Sequence, residues 1–316
     1  MVYNSLVKFQ KALFIGVTEA SLDKKYWKGL DNLIAKKAFV AKESPQIEKE
    51  IKDADCLFLA FATPLTKDLI DKAPKLKYIG QFSTAFGRVD VDYAKKKGIP
   101  VTNLAGFSTE SVAEFTIAAI LEAIRGLETG KQRGKKLNVD EGGIKVWEIK
   151  GKNFGILGLG KIGRRVGELA NGFGAHVIYW SRNKKKDSSF KYQELDEVIK
   201  SADFLSINLA QNAQTEKILN KKRFSQIKPG CVVINTCPME LIDLDGLTSR
   251  LAKKDIIFIL DHSDEMAIAD LKKLSKYPNC IIYPPMAYIS EEAKVNRQEM
   301  FVSNIVCFQY RKLPQG

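Results

Sequence analysis

Three glycines at fixed spacing stand where an apolar strand pattern meets a helical pattern. The stretch GILGLGKIGRRVG contains Gly158, Gly160 and Gly163, with Lys161 and Ile162 between the last two. The first glycine permits a tight turn, the second lets the backbone approach a ligand, and the third allows a helix to pack closely on a strand. Because a helix N-terminus offers N–H donors and a positive dipole end, we expect these five residues to bind the pyrophosphate of a dinucleotide.

The end of the next strand pattern, HVIYW, bears on which dinucleotide is bound. It runs into Ser181, Arg182 and Asn183, followed by three lysines. A site for NAD normally has Asp or Glu at this strand end, where it accepts hydrogen bonds from the ribose hydroxyls. No carboxylate stands here, and the hydroxyl and cationic groups suit a 2′-phosphate. We therefore predict NADP(H) in preference to NAD(H); the alternative is a basic loop that contacts no ligand.

Two later strand patterns also end in polar residues. CVVINT ends at Thr236, and IIFILD ends at Asp261. Because parallel strands present their carboxyl ends at one edge of a sheet, where ligands bind, we expect Thr236 and Asp261 to lie at the cofactor. Thr236 is followed by Cys237 and Pro238, and a proline there offers neither a charge nor a backbone donor.

The elements that position these residues follow from periodicity. Strand-sized apolar runs alternate with helix-sized amphipathic runs, which predicts an α/β fold with doubly wound parallel sheets. The predicted strands are 11–17, 56–61, 78–82, 100–103, 153–160, 176–181, 204–209, 231–236, 256–261 and 280–284, with helical stretches near 22–36, 45–53, 66–73 and 91–97. One long helix is predicted from Ser111, in a capping box with Glu114, to a stop at Gly130. A last helix is predicted to be capped by Ser290.

Composition limits the classes of function. The chain has 316 residues, enough for two domains, and a net charge of +13. The lysines are scattered in pairs and triplets without aromatic interleaving, which predicts a solvated surface and no specific nucleic-acid site. No apolar run is long enough to span a membrane, and the N-terminus lacks a leader pattern, which predicts a cytoplasmic protein. Five dispersed cysteines and only two histidines, His176 and His262, predict reduced thiols and no metal site.

Several motifs together resemble the D-isomer-specific 2-hydroxyacid dehydrogenases. They are TPLTKDLIDKAPKLKYIG (63–80), GIPVTNLAGFSTESVAEF (98–115), the glycine motif, KPGCVVINT (228–236) and NCIIYPPMAYISEEA (279–293). The resemblance implies a Rossmann-type cofactor domain, residues 103–285, inserted into a smaller flavodoxin-like substrate domain, residues 1–102 and 286–316. It also implies an NAD(P)-dependent oxidoreductase that forms a homodimer.

The residues that the family uses for chemistry are replaced in this sequence. Reduction of a ketone needs a cation to hold the substrate carboxylate and an acid to protonate the alkoxide. The resemblance assigns the arginine, the glutamate and the histidine of the family to Pro238, Met266 and Pro285. A shift of one residue would bring Glu265 to the carboxylate position, but no Arg or His lies within three residues of either proline.

The resemblance also assigns a loop that cradles the substrate carboxylate. It falls on Ser83, Thr84, Ala85 and Phe86, with Ala85 in place of a glycine of the family. We predict that these four residues line the substrate pocket.

Four side chains are candidates for the lost chemistry. Tyr288 is a possible proton donor, or a packed tyrosine bonded to backbone. His262 is a second possible acid, with Asp264 and Glu265 nearby to raise its pKa, or a partly exposed loop histidine. Cys237 is a nucleophile or a small buried hydrophobe. Arg88 is an anion-binding residue or merely exposed.

Two hypotheses follow from this pattern. The first is a reductase whose substrate is not an ordinary 2-oxo acid, since an imine or an activated alkene needs less help with protonation. The second is a catalytically inactive relative that serves as a nucleotide-sensing or scaffold protein.

Overall fold

The computed structural model describes residues 8–61, 63–264 and 266–310. The strands of this part of the chain are β1 (Phe9–Ile15), β2 (Ile34–Val40), β3 (Cys56–Leu59), β4 (Tyr78–Gln81), β5 (Val101–Thr102), β6 (Asn153–Leu157), β7 (His176–Trp180), β8 (Lys191–Tyr192), β9 (Phe204–Ile207), β10 (Val232–Asn235), β11 (Ile257–Leu260) and β12 (Cys280–Ile282). The α-helices are α1 (Lys24–Asp31), α2 (Ile47–Glu50), α3 (Lys67–Asp71), α4 (Val91–Lys96), α5 (Thr109–Arg125), α6 (Leu127–Lys135), α7 (Lys161–Gly172), α8 (Leu195–Ser201), α9 (Lys221–Gln226), α10 (Leu244–Leu251), α11 (Ile268–Leu274) and α12 (Glu291–Gln309). Short 3-10 helices occur at Glu19–Ser21, Ile51–Asp53 and Met239–Leu241.

The chain divides into two compact units. Unit 1 comprises the described residues up to Ser108 and those from Ser290 onward, and unit 2 comprises Thr109–Ile289. The domain boundaries expected from the sequence, after residues 102 and 285, stay predictions.

The sheet of unit 1 is fully parallel, in the order β2-β1-β3-β4-β5. The chain moves outward from β1 in one direction to β2 and then in the other to β3, β4 and β5. This order is that of flavodoxin-like folds. Apolar side chains cover both faces, as parallel sheets require.

Helix α12 completes the core on one face of this sheet. Phe301 and Ile305 are buried in the same cluster as Phe14 and Phe58. The rings of Phe58 and Phe301 meet edge to face, with centroids 4.8 Å apart. The predicted cap is confirmed, because the Ser290 hydroxyl accepts a hydrogen bond from the Ala293 N–H at 2.9 Å. The C-terminal helix is therefore an integral part of unit 1.

The sheet of unit 2 has seven parallel strands in the order β12-β11-β10-β9-β6-β7-β8. From β6 the chain goes to β7 on one side and later returns to β9 on the other. The direction of winding therefore reverses between β6 and β9, the point at which doubly wound folds bind ligands. The predicted α/β fold with doubly wound parallel sheets and a Rossmann-type cofactor domain is confirmed.

Two local predictions were wrong. The helical stretch expected near 22–36 ends at Asp31, and Ile34–Val40 instead forms β2, an edge strand that pairs with β1. The single long helix expected from Ser111 to Gly130 begins at Thr109 and breaks at Gly126, whose φ is +59°. A left-handed residue interrupts helical hydrogen bonding at little cost when it is glycine.

Ser111 also has another role than capping. Its hydroxyl donates to the Ala287 carbonyl at 2.7 Å.

None of the helices in the described ranges is both long enough and apolar enough to cross a membrane.

Replacing Phe301 with Ala should destabilise unit 1 by about 3–5 kcal/mol, because the ring fills a site that is only 2% exposed. Denaturant unfolding followed by tryptophan fluorescence would measure the loss, since Trp27 packs against the same core cluster. The exposed neighbour Glu299 gives the control, and Glu299→Gln should change stability by no more than about 0.5 kcal/mol. Equal stability of both variants would contradict the place given to α12 in the core.

Candidate cofactor and substrate sites

The predicted cofactor residues of unit 2 lie along one edge of its sheet. The strand pairing aligns the last residues of five strands in one row: Leu157, Trp180, Ile207, Asn235 and Leu260. Gly158, Ser181, Thr236 and Asp261 each follow a member of this row. The structure therefore brings together residues that are as much as 103 positions apart in the sequence.

The glycine motif is explained by close backbone contacts. Gly158 has φ of +96°, and a Cβ there would lie 2.3 Å from the Asn208 carbonyl oxygen. A Cβ on Gly163 would lie 2.1 Å from the Gly158 carbonyl oxygen. Neither position tolerates a side chain, and this is the packing that the motif predicts at a strand–helix junction.

Gly160 differs from the other two glycines because the space around it is open. It is the N-cap of α7, and, among the described residues other than Gly160 and its two chain neighbours, no heavy atom lies within 4 Å of a Cβ built there. The first N–H groups of an α-helix have no intrahelical acceptor. The start of α7, at Lys161 and Ile162, therefore fits the pyrophosphate of a dinucleotide, which would be held by backbone donors.

The loop after β7 carries exposed cations. The Ser181 hydroxyl donates to the Asn183 carbonyl at 2.7 Å, which fixes the turn. Arg182 is exposed, and its Nη1 donates to Gln214 Oε1 at 3.1 Å. Arg164, one turn into α7, pairs with Asp187 at 2.9 Å. The loop thus presents the Arg182 guanidinium at the end of β7, while its carboxylate, Asp187, is paired with Arg164.

Gln214 was missed by the sequence reading. Gln214 follows β9, whereas Arg182 follows β7, and β6 lies between these two strands in the sheet. The hydrogen bond from Arg182 to Gln214 therefore directs the arginine side chain across the end of β6. Only strand order reveals this neighbour, because the two residues are 32 positions apart.

Pro238 has a structural role at the end of β10. It is the N-cap of the 3-10 helix Met239–Leu241, with φ of −53°. The Asn235 side chain, buried at the strand end, donates to the Cys237 carbonyl at 2.9 Å and accepts from the Cys237 N–H at 3.2 Å. The turn is thus held by an asparagine and a proline, and Thr236 is half-buried within it.

The Cys237 thiol lies against backbone and is not set up as a nucleophile. Its Sγ donates to the Ile207 carbonyl at 3.2 Å. Burial raises the pKa of Cys237 to about 12, so the thiolate is scarce at neutral pH. The structure supports the interpretation of Cys237 as a small buried hydrophobe.

Asp261 fixes the segment that follows β12. It is 3% exposed, and its Oδ1 accepts from the Met286 N–H at 2.9 Å and from the Ala287 N–H at 3.0 Å. Burial raises the pKa of Asp261, and the two backbone donors oppose that rise. Ser263 reinforces the contact by donating to the Tyr283 carbonyl at 2.8 Å. Pro285 itself has no N–H, so the carboxylate takes the two donors that follow it.

The other candidate acids remain accessible. Tyr288 is 41% exposed. His262 is partly exposed, and its Nδ1 lies 3.7 Å from Asp264 Oδ1. Met266 packs against a core cluster, whereas Met286 is 43% exposed. Glu265, the alternative carboxylate, lies outside the described residues.

The predicted substrate loop follows β4 in unit 1. Each carbonyl oxygen of the loop accepts a hydrogen bond. Ser83 O accepts from Leu104 N at 2.9 Å, and Thr84 O accepts from Asn103 Nδ2 at 2.6 Å. Ala85 O accepts from Ser83 Oγ at 2.8 Å, and Phe86 O accepts from Val89 N at 3.3 Å. Gln81, which is 1% exposed, donates to Ser83 Oγ at 3.1 Å and to the Ala60 carbonyl at 3.1 Å. The loop is therefore fixed through its acceptors.

Arg88 lies in a different setting. It borders an open hollow of about 420 Å³ that Lys67, Asp68 and Asp90 also line. Because this hollow is lined by both cations and carboxylates, it does not favour an anion. No three His, Cys, Asp or Glu side chains are grouped so as to hold a metal ion within 8–61, 63–264 and 266–310. That the protein needs no metal stays a prediction.

Fold and site together define a dinucleotide-binding α/β protein with a second, flavodoxin-like unit. Residues 117–287 match the family described as D-isomer specific 2-hydroxyacid dehydrogenase, NAD binding domain. The glyoxylate reductase of Aeropyrum pernix is 30% identical over 83% of this chain and 82% of its own. The chain therefore belongs to the D-isomer specific 2-hydroxyacid dehydrogenase family, as the sequence motifs implied.

Two solved structures are similar over nearly the whole chain. The D-lactate dehydrogenase of Aquifex aeolicus, complexed with NAD and lactic acid, is 30% identical with a TM-score of 0.83, and the match covers 94% of this chain and 95% of that one. An acyclic imino acid reductase in complex with NADPH and D-Arg is 26% identical with a TM-score of 0.84, over 96% and 98% of the two chains.

Asp261 should act through hydrogen bonding more than through charge. Asp261→Ala leaves two N–H groups without their acceptor and should cost about 1–3 kcal/mol. Asp261→Asn keeps the Oδ1 acceptor and removes the burial penalty of the charge, so it should be at least as stable as the parent at neutral pH. Thermal unfolding of the three proteins would test this order.

The pH dependence gives the control for this comparison. A folded-state pKa above the ordinary aspartate value favours the folded protein in acid, and this contribution is lost as the pH rises. The advantage of Asp261→Asn should therefore disappear below the ordinary aspartate range. A strongly destabilised Asp261→Asn at neutral pH would contradict the assignment.

Proposed function

We propose that this protein is an NADPH-dependent reductase that acts on an imine formed from a 2-oxo acid and an amine, rather than on the free 2-oxo acid. The observation that carries the proposal is the replacement of the family's cation and acid by Pro238 and Pro285, while the cofactor residues at the same sheet edge remain. A ketone needs the acid to protonate its oxygen, and a protonated imine does not, since it already carries the proton on nitrogen.

The chemistry of the two substrates explains the difference. When hydride adds to a ketone, the oxygen gains negative charge and must receive a proton from an acid. A protonated imine already carries its proton and a positive charge on nitrogen. Hydride then forms the new C–H bond, the C=N π pair becomes the nitrogen lone pair, and a neutral amine results. No residue has to donate a proton.

The cofactor would be held by residues that the structure brings to one edge. The start of α7 would hold the pyrophosphate, and bound NADPH would supply the hydride. Arg182, steered by Gln214, is the group proposed to pair with the 2′-phosphate, since a guanidinium binds phosphate through charge-assisted hydrogen bonds. The likeness to an acyclic imino acid reductase in complex with NADPH supports both the proposed cofactor, NADPH, and the proposed substrate class, an imine.

The second candidate is a nucleotide-sensing protein without catalysis. Pro238, Met266 and Pro285 are apolar and provide no proton, which favours this function. The exposure of Met286 and Tyr288 is less consistent with it, because a disused site is expected to fill with packed side chains.

Homodimer formation stays a prediction, and the exposed Leu137 and Val139 are apolar groups that a second copy could cover.

Arg182→Ala should weaken NADPH binding about tenfold or more, because a charge-assisted hydrogen bond to the 2′-phosphate contributes about 1.5–3 kcal/mol. NADH binding should stay within about twofold. Lys191→Ala, which removes an exposed charge on β8, gives the matched control. Calorimetric titration of both nucleotides would measure the effect. An equal loss for both nucleotides would contradict the role given to the guanidinium.

The proposed reaction predicts that turnover depends on an amine. Absence of the general acid should slow ketone reduction by roughly 10²–10⁴-fold, whereas a protonated imine avoids this cost. NADPH consumption should therefore be slow with glyoxylate, pyruvate or phenylpyruvate alone and rise about a hundredfold when methylamine is added. The absorbance of NADPH gives the initial rate.

The controls separate the two candidate functions. Equal rates with and without methylamine would show ordinary 2-oxo acid reduction and refute the imine proposal. Tight NADPH binding without turnover under either condition would favour the nucleotide-sensing protein. Formation of an N-methyl amino acid, detected by mass spectrometry, would confirm the product.

A further inference from the structure

We propose that a polar hollow at the start of β7 binds a sugar phosphate, that is, a hydroxylated phosphate monoester. The hollow has a volume of about 690 Å³ and is lined only by residues of unit 2. This volume falls in the usual range for sites that bind small molecules. The inference does not depend on the proposed imine chemistry, because it concerns a second site.

The hollow lies at the opposite edge of the sheet from the predicted cofactor residues. Its lining includes Asn153 and His176, which are the first residues of β6 and β7. The cofactor residues follow the last residues of these strands, Leu157 and Trp180. Because a parallel strand rises about 3.3 Å per residue, the two edges are separated by about 13 Å. A ligand in the hollow therefore does not occupy the dinucleotide site.

The hollow exists because β8 covers only part of β7. Strand β7 pairs with β6 along its whole length, but its pairing with β8 begins at Ile178 and Lys191. The Gln193 N–H donates to the Tyr179 carbonyl at 2.9 Å, so Tyr179 turns its main-chain groups toward β8. Alternate residues of a strand turn the same way, and the N–H of Val177 therefore points to the uncovered side.

The N–H of Val177 has no acceptor in the described part of the chain. If the pairing of β7 with β8 continued by one more step, the Ser189 carbonyl would accept from it, but that hydrogen bond is not formed. Val177 is only 8% exposed, and a buried N–H without an acceptor is costly. An anionic oxygen in the hollow would satisfy this donor.

Two side chains with donor groups border the hollow on one face of the sheet. His176 and Ile178 share that face because side chains alternate along a strand, and Lys191 lies beside Ile178. His176 and Lys191 are exposed, and within the described ranges neither side chain forms an ion pair or a hydrogen bond with the protein. Both are therefore available to a ligand, with the ammonium group supplying a positive charge.

The chemistry of the lining favours an anion, and a phosphate over a carboxylate. None of the described residues that line the hollow is Asp, Glu or Arg. Asp203, which accepts from the Asn153 N–H at 3.0 Å, is paired with Lys228 at 2.6 Å. An arginine fork matches a planar carboxylate, whereas a lysine binds phosphate as a point charge. Phosphate oxygens also point in several directions, as the donors of Lys191, His176 and Val177 require.

The rest of the lining favours a hydroxylated body on the phosphate. The Oε1 atom of Gln193 is buried and has no hydrogen-bond partner among the described residues, so it requires a donor such as a hydroxyl group. Asn171 and Ser189 add exposed polar groups to the lining. The ring of Phe190 forms a fixed wall, because it packs where a Cβ on Gly167 of α7 would lie 2.6 Å from its Cε2.

Calorimetric titration of the full-length protein with glucose 6-phosphate would test the proposal, in saturating NADPH so that the cofactor site is filled. Lys191→Ala should weaken binding about tenfold or more, because a charge-assisted hydrogen bond is lost. Gln193→Leu should weaken glucose 6-phosphate binding severalfold and leave the binding of inorganic phosphate unchanged, since only the ester carries hydroxyl groups.

Lys184→Ala gives the matched control near the same strand. Lys184 is exposed and does not line the hollow, and its Nζ lies 5.9 Å from the ring centroid of Tyr192, the residue after Lys191. Its loss removes the same charge, so a general electrostatic effect would weaken glucose 6-phosphate binding equally in both variants. Lys191→Ala should leave NADPH binding unchanged, because the cofactor edge is remote from the hollow.

Four results would overturn the proposal: no binding of glucose 6-phosphate at millimolar concentration, an equal loss in Lys184→Ala, equally tight binding of inorganic phosphate or of glucose, or displacement by NADPH. The outcome is separable from that of the proposed function. Amine-dependent turnover without glucose 6-phosphate binding would refute this site and keep the imine substrate. Lys191-dependent binding of glucose 6-phosphate, with turnover that needs no amine, would do the reverse.

Discussion

The cofactor site depends on how closely a strand end and a helix start approach each other in unit 2. A Cβ on Gly163 would lie 2.1 Å from the carbonyl oxygen of Gly158, so the helix can reach this position only because neither residue has a side chain. The approach brings the start of α7 to the edge where β6, β7, β9, β10 and β11 end in register. The other predicted cofactor residues, Ser181, Thr236 and Asp261, lie near the start of α7 only because these strand ends are aligned in one row.

Polar side chains hold the main chain beside two prolines at that edge. After β10, the Asn235 side chain makes two hydrogen bonds to the backbone of Cys237, the residue before Pro238, and so fixes the turn. After β12, Asp261 takes the backbone donors that follow Pro285. In each case a strand-end side chain satisfies main-chain groups, which is a structural task. The edge therefore keeps its order around two prolines that the family resemblance aligns with the catalytic arginine and histidine.

The sequence predicted what local rules govern and missed what depends on tertiary contacts. The strand–helix junction at the glycine motif and the strands of unit 2 agree with the sequence pattern, because close packing and strand patterning are reflected directly in residue type. Strand β2 was predicted as helix because Ile34–Val40 is an edge strand in which only Ile34 is fully buried, so its alternating pattern is weak. The break at Gly126 was placed at Gly130 because both glycines fit a stop signal. Gln214 could not be anticipated, since only the order of the strands brings it to Arg182, 32 positions away in the chain.

The contribution of α12 to unit 1 has a consequence for biosynthesis. Unit 2 is one continuous stretch, so it can fold as soon as residue 289 has left the ribosome. The sheet of unit 1 is made earlier but must wait for the last helix, and until then the face that carries Phe14 and Phe58 stays uncovered. The sheet of unit 1 is therefore completed after unit 2, although its strands are synthesised before it. A nascent chain halted before α12 presents an aromatic surface of the kind that chaperones recognise.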